Sequence, residues 1–464
     1  MNARRTDELD TRRLDARVAE LLVEYRIPSA SIGIFHKGRT TELAVGLKEL
    51  SKGEPATTDT IYQLGSMSKT WTALAFMQLL DEGKVALDEP VRSYIPGFLV
   101  ADPEATARVT PRHLLNHTNG FEEAFGQPGE GDDVYERMVE GIADAPQVFP
   151  LGQTHGYSAA LGYAILARIM EVVDGRGWDE IMRRRTIEPL GLSSTSTRRE
   201  DVDPERAAAG YLVRSLEEPP IRSPMPFLPR AYGPGGNLSS TVGDVLTMAR
   251  PFLDSGRSPN GPRILSARSL AEMTSSRVSI PDPYMFGPWW ALGLVVSDWQ
   301  GEAVFASDGS TIGQNARLRI LPESDLAIAM LTNCGPRESF YRRVFNEILS
   351  GIGTVRVPDL PAPDRTLKLD FARYEGAYER PGVRYEVTAR GGGLELTFVR
   401  DPWQARVGGQ PERTTYELLP VSDTHFLVPP TNPLEDPQTV AIYEFKDGHA
   451  RYLHTNCRAF PRAD

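Results

Sequence analysis

Thr60-Ile-Tyr-Gln-Leu-Gly-Ser-Met-Ser-Lys69 opens a run that continues Thr70-Trp-Thr-Ala-Leu-Ala-Phe-Met-Gln-Leu-Leu80. Ser66 and Lys69 lie three apart, so a helix puts them on one face. A serine hydroxyl is a weak nucleophile at neutral pH and needs a neighbour that takes its proton. A lysine one turn away meets that need, as the base itself or by electrostatic support of another base. Ala73, Phe76, Met77 and Leu80 fit i, i+3, i+4, i+7 spacing, and Trp71 and Leu74 add apolar flanks. A helix apolar on most sides is a buried one, and Gly83 stops it. The stretch predicts a Ser/Lys pair at the N-terminal mouth of a buried helix, where the helix dipole favours developing negative charge.

The rest of the chain supplies surroundings for that helix. Leu9, Leu14, Val18, Leu21 and Leu22 predict an amphipathic helix over 8–25, closed by Pro28. Ala30 to Gly38 and Thr41 to Gly46 read as a hairpin. Residues 88–96 and 103–109 read as proline-rich loops. Pro111 opens a short helix, residues 130–145 an acidic one, and a turn over 151–158 leads into a second buried helix, Ala159 to Val173. Helices follow over 177–193, 239–253 and 265–275, with a loop-rich stretch over 200–236. From Trp289 the texture changes to short strands: 290–296, 303–306, 316–321 and 326–331. With 30–46 these predict an antiparallel sheet of about five strands, closed by a helix over 338–349. Helices and strands segregated in this way indicate α+β rather than alternating βαβ. Three prolines mark 354–367 as a stiff linker. The division expected is a domain over 1–353, that linker, and an all-β domain over 368–464 whose closely spaced strands suit a small barrel or sandwich.

Composition excludes several functions. The net charge of −11 is wrong for a nucleic-acid surface, which needs a basic excess. Two distant cysteines, Cys334 and Cys457, make no disulfide scaffold and suit a reducing compartment. The N-terminus is charged without an apolar core, and no apolar stretch approaches the ~18 residues of a membrane span. The expectation is a cytoplasmic protein without a membrane span. His113 and His117 have i, i+4 spacing, but the Glu of His-Glu-x-x-His is absent and no third ligand is evident. They are read as structural, and no metal or cofactor is expected.

With these elements in place, the chain resembles the serine beta-lactamase-related, penicillin-binding-protein-like superfamily. This includes class C beta-lactamases, low-molecular-weight penicillin-binding proteins, D-aminopeptidases, esterases and acyltransferases. The resemblance runs over roughly 15–350. It rests on Thr60 to Lys69, His113-Leu-Leu-Asn-His-Thr-Asn-Gly120, Gly152 followed by Tyr157-Ser158, and Gly235-Gly-Asn-Leu-Ser-Ser-Thr241 before Asp244. It continues with Asp308-Gly-Ser-Thr-Ile-Gly313, Ile320-Leu-Pro-Glu323 and Leu331-Thr-Asn333. Tyr374-Glu-Gly-Ala-Tyr378 in the β-rich tail resembles the lipocalin-like domain often appended to this family. The fold implied is an antiparallel sheet flanked by helices, an all-helical subdomain, and then a small β-barrel. The mechanism implied is acyl transfer. Ser66 attacks a carbonyl, and Lys69 and Tyr157 take its proton and pass it to the leaving group. The backbone N–H groups of Ser66 and Ser310, beside Gly309, receive the oxyanion.

Two positions depart from the family. Ala159 stands where Asn is frequent two residues after the tyrosine. Ser307 stands where Lys or His usually begins the third motif, and is read as a substitute hydrogen-bond donor to substrate. Asp308 is expected either to repel an anionic substrate or to face away. His155 either lines the cleft or is a turn residue. Tyr284-Met-Phe286 and Trp289-Trp290 form either an acyl pocket or core. Loss of the cation and the amide argues against penicillin chemistry. The function expected is a serine hydrolase or acyltransferase of esterase, amidase or thioesterase type. Its substrate is a small-molecule or peptidyl acyl group, carrier-bound forms included. Alternatives are a penicillin-binding-protein-type thioesterase or peptide cyclase, a D-aminopeptidase or beta-lactamase, and a non-catalytic binding protein on the same fold.

Overall fold

The computed structural model describes residues 9–123, 128–214, 217–259, 261–402, 411–431 and 435–463. Its centre is an antiparallel sheet of nine strands, more than the five expected. The order across it is Glu54–Pro55, Arg39–Glu49, Ser29–His36, Leu326–Thr332, Gln314–Leu321, Glu302–Thr311, Val295–Trp299, Trp289–Trp290 and Val278–Ser279. The excess comes mostly from two-residue strands at the edges, which are too short to show a period of two.

The middle strands are buried along their whole length because helices cover both faces. Successive side chains alternate between those faces. Leu326, Ile328 and Met330 pack with Leu14, Val18, Val344 and Ile348 of the helices Thr11–Tyr25 and Glu338–Ile352. Ala327, Ala329 and Leu331 belong to the larger core with Val245, Leu246 and Met248 of the helix Val242–Leu253. That core also takes the helix Ser68–Asp81, in which every residue from Ser68 to Met77 is buried. Its buried hydroxyls are paired, as burial requires. Ser68 Oγ donates to Gly65 O at 2.7 Å, Thr70 Oγ1 to Gly293 O at 2.7 Å and Thr72 Oγ1 to Pro234 O at 2.8 Å.

The supposed loops near 88–109 contain short helices, Val91–Tyr94 and Pro103–Arg108. In the second, Pro103 sits in the first turn, where its missing N–H costs nothing, and Asp102 caps Ala105 N–H at 2.7 Å. The acidic helix is shorter than expected, Val134–Glu140. Within 200–236 the strands Tyr211–Leu212 and Ile221–Arg222 pair.

The tail forms an eight-stranded antiparallel sheet in sequence order from Gly376–Arg380 to Arg458–Pro461. A bridge between Tyr378 and Arg462, and the bond from Ala463 N–H to Ala377 O at 2.8 Å, bring its first and last strands together into a nearly closed barrel. The interior is filled by Tyr374, Tyr378, Tyr385, Leu394, Leu396, Phe426 and Phe460. Residues 355–364 carry no helix or strand. They are held at both ends, with Val357 in the core and Asp364 N–H donating to Pro420 O at 2.7 Å.

The barrel is seated firmly on the larger unit. Arg380 makes a buried two-bond ion pair with Glu122, at 2.8 and 2.9 Å. Thr439 Oγ1 donates to the buried Asp282. Asp436 accepts from Glu338 N–H at 2.6 Å and Ser339 N–H at 2.9 Å, capping the helix Glu338–Ile352 from the other unit. Asp436→Ala should therefore lower stability by ~1–2 kcal/mol in chemical unfolding. An unchanged unfolding curve would show that this cap contributes nothing to the joint.

Candidate active site

Ser66 lies in a single 3-10 turn, Gly65–Met67, directly before the buried helix. That turn touches the end of the strand Glu302–Thr311 backbone to backbone. A Cβ on Gly309 would lie 1.9 Å from Leu64 O and 2.7 Å from Ser66 N, and one on Gly65 would lie 2.5 Å from Ser310 N. Neither site has room for a side chain. Thr311 and Gln314 close a hairpin around Ile312-Gly313. A two-residue turn makes that flanking pair the hydrogen-bonded one. The next pair, Ser310 and Asn315, then turns its backbone groups outward. Ser310 N–H thus faces the Ser66 turn, and two backbone donors converge there. Asn315 Nδ2 donates to Gly309 O at 2.7 Å and fixes the strand end.

Lys69 is 1% exposed. Its Nζ donates to Ala159 O at 2.6 Å and Gly235 O at 2.8 Å, and lies 3.4 Å from Ser66 Oγ. Burial is the largest influence on this amine and brings it down to about 7. Glu123 opposes that fall and Arg458 adds to it. A neutral amine has two N–H donors and one lone pair. The carbonyls take the donors, which leaves the lone pair for the Ser66 hydroxyl.

Tyr157 completes the group. It lines the same small cavity as Ser66 and Lys69, and Lys69 Nζ lies 4.8 Å from its ring centre. Burial pushes the phenol above its usual range, so the hydroxyl keeps its proton. The segment His113 to Gly120 holds this tyrosine. His117 O accepts Gly156 N–H at 2.9 Å, His117 Nδ1 accepts Ser158 N–H at 3.2 Å, and the His117 ring packs 4.6 Å from the tyrosine ring. His113 Nδ1 completes a capping box with Thr110. Both histidines thus hold backbone or capping groups of this segment through Nδ1. From the barrel, Cys457 O accepts Tyr157 N–H at 2.8 Å.

Several expected residues direct their polar groups inward, although Asp308 also lines the cleft at Ser66. Ser307 is 7% exposed, with its hydroxyl 2.7 Å from Thr70 Oγ1. Thr70 donates onward to Gly293 O, so Ser307 donates inward to Thr70 rather than toward substrate. His155 does not line the cleft. It is buried behind Tyr157 against His117, Trp290 and His454, and burial holds its imidazole down near 3, in the neutral form. Asp308 is turned into ion pairs with Arg317 at 2.7 Å and Arg319 at 2.5 Å. Burial pushes its carboxyl up, but Arg319 and Arg317 hold it below the usual carboxylate range. Ala159 offers its backbone carbonyl instead of a side chain.

A cleft of about 470 Å³ opens at Ser66 and Tyr157. Tyr284, Met285 and Phe286 form an apolar wall, while Trp290 is buried. Asn456 and Arg458, at the tip of a barrel hairpin, form the opposite rim. Among the described residues the Arg458 guanidinium has no hydrogen-bond or ion-pair partner. Glu123, Asn456 and Arg458 went unnoticed in the sequence reading, and Gly235 entered it only as part of a motif, without its carbonyl's role. The barrel residues carry no motif, and a backbone carbonyl leaves no mark in residue type.

Comparison with known proteins agrees with this geometry. The sequence profile of the family described as Beta-lactamase matches residues 14–350. Penicillin-binding protein 4 of Amycolatopsis lactamdurans is 38% identical over 365 residues, 78% of this chain and 96% of its own. Esterase EstB of Burkholderia gladioli is 28% identical over 272 residues, 50% of this chain and 68% of its own. The crystal structure of SurE with D-Leu superposes with a TM-score of 0.75 at 25% identity, covering 97% of this chain and 99% of that one. A profile match over most of the chain, a near full-length relative and a shared two-unit fold place this chain in the beta-lactamase family.

Proposed function

We propose that this protein is a serine acyl hydrolase or acyltransferase working through an acyl-enzyme on Ser66. One observation carries the reading. A buried lysine near neutrality has both N–H donors taken by carbonyls and its remaining direction open to Ser66 Oγ. Lys69 accepts the serine proton as Oγ attacks the substrate carbonyl. Backbone N–H groups at Ser66 and Ser310 receive the oxyanion. Tyr157, which keeps its proton, passes it to the leaving group and is re-protonated from Lys69. Water or an amine then attacks the ester by the reverse path.

The substrate we infer is a small-molecule or peptidyl acyl group whose apolar part lies against Tyr284 and Phe286. A beta-lactamase or D-aminopeptidase role is less well supported, because Ser307 faces Thr70 and residue 159 has no amide. A peptide thioesterase or cyclase is favoured by Arg458. A guanidinium without a partner among the described residues, on the rim of the Ser66 cleft, suits the carboxylate of an amino-acid-like acceptor or product. The similar SurE structure with D-Leu supports the same class of ligand.

Intact-mass analysis with a fluorophosphonate should give one adduct, on Ser66, and none in Ser66→Ala. Absence of an adduct on the folded wild-type chain would contradict the proposal. Ester acylation should rise with pH along a limb centred near 7, because protonated Lys69 cannot act as base. A rate independent of pH from about 5 to about 9 would assign the base elsewhere. Tyr157→Phe should lower kcat by ~10²-fold or more, and a wild-type rate would remove this residue from proton transfer. Arg458→Ala should raise KM for a D-amino acid acceptor ~10-fold more than for the corresponding amide. Equal effects on the two acceptors would show that Arg458 does not bind the carboxylate.

A further inference from the structure

Glu123 lies just outside the Ser66, Lys69 and Tyr157 group, on the segment after Gly120. One carboxylate there gathers the unpaired donors that begin the helix Leu161–Asp174. Its Oε1 accepts Ser158 O–H at 2.7 Å and Ala159 N–H at 2.5 Å. Its Oε2 accepts Leu161 N–H at 3.1 Å and Ala160 N–H at 3.3 Å. The Ala159–Ala160 peptide is therefore held at both ends. Its N–H points to Glu123, and its C=O accepts Lys69 Nζ at 2.6 Å. A peptide unit is planar and stiff, so fixing the N–H aims the carbonyl.

We propose that Glu123 is a positioning residue for Lys69, aiming the Ala159 carbonyl that orients the amine toward Ser66. The inference rests on the acyl-enzyme reading above. Among the described residues, the charged and titratable groups facing Lys69 are Tyr157, Tyr163, His117, Glu123 and Arg458. Burial keeps His117 neutral and keeps both tyrosines protonated. The balance of charge at the amine is thus Glu123 against Arg458. Removing the carboxylate leaves Arg458 unopposed, which favours neutral Lys69 while releasing the carbonyl that aims it.

The test is pre-steady-state acylation of the full chain by p-nitrophenyl acetate, which carries no charge, across pH. Glu123→Gln should acylate ~10- to 100-fold more slowly, with the acid limb displaced downward by about half a pH unit or more. Glu123→Asp keeps the charge on a shorter arm. It should leave the limb in place and lose rate, by less than Glu123→Gln does. A slower Glu123→Gln with an unmoved limb, matched by Glu123→Asp, would reduce the carboxylate to a helix cap and overturn the proposal. Wild-type rate and limb in Glu123→Gln would overturn it too. Circular dichroism establishes folding, and if Glu123→Gln does not fold, a wild-type acylation rate in Glu123→Asp is the overturning result. Absence of a Ser66 adduct in wild type would instead remove the acyl-enzyme reading, and this inference with it.

Discussion

Burying an ammonium group costs more than its hydrogen bonds return, unless the group gives up its proton. Lys69 is the place where this chain accepts that cost. The buried helix fixes its backbone, and the carbonyls of Ala159 and Gly235 come from two other segments to meet its Nζ. Every other feature of the site follows from keeping that amine dry, aimed and close to neutral. Gly235 belongs to a short turn before the helix Val242–Leu253, and Ala159 to the entry of the helix Leu161–Asp174. Both helices pack in the same core as Trp71 and Phe76. The polar arrangement therefore inherits its rigidity from apolar packing.

The second constraint is the backbone contact between the Ser66 turn and Gly309. It places the end of the central sheet against the mouth of the helix without an intervening side chain. The barrel adds a third element. Its Cys457 carbonyl holds Tyr157 N–H, and its Arg458 supplies the cleft with a cation, whereas position 307 is a neutral serine. The cation at the cleft thus comes from the barrel, whose seating on the larger unit depends on Arg380, Asp436 and Thr439. Its interior is packed with side chains, so its contribution to the site comes from its outer edge.

Much of this was legible in the sequence. The Ser66 to Lys69 turn, the long strands and the helix at Pro111 all express local periodicity or fixed dihedral preferences. The edge strands Glu54–Pro55 and Val278–Ser279 were not legible, since two residues cannot show alternation. The helices at Val91 and Pro103 were missed because proline reads as a breaker, whereas at the first turn it is an opener. Ser307 was expected to face substrate, but Thr70 lies directly beneath it and claims its hydroxyl. His155 was left open, and the barrel settled it by covering its side of the loop through His454. Ala159 looked like a loss because residue type was all the sequence offered. What residue 159 supplies to Lys69 is its peptide carbonyl, which every residue carries.

The central claim is that Lys69 loses its proton near neutral pH in the folded protein. Its titration is measurable directly, by NMR of ¹³Cε-labelled lysine assigned through Lys69→Met. The account predicts a titration midpoint close to 7 for this one lysine. A midpoint near the ordinary lysine value of 10.5 would contradict it.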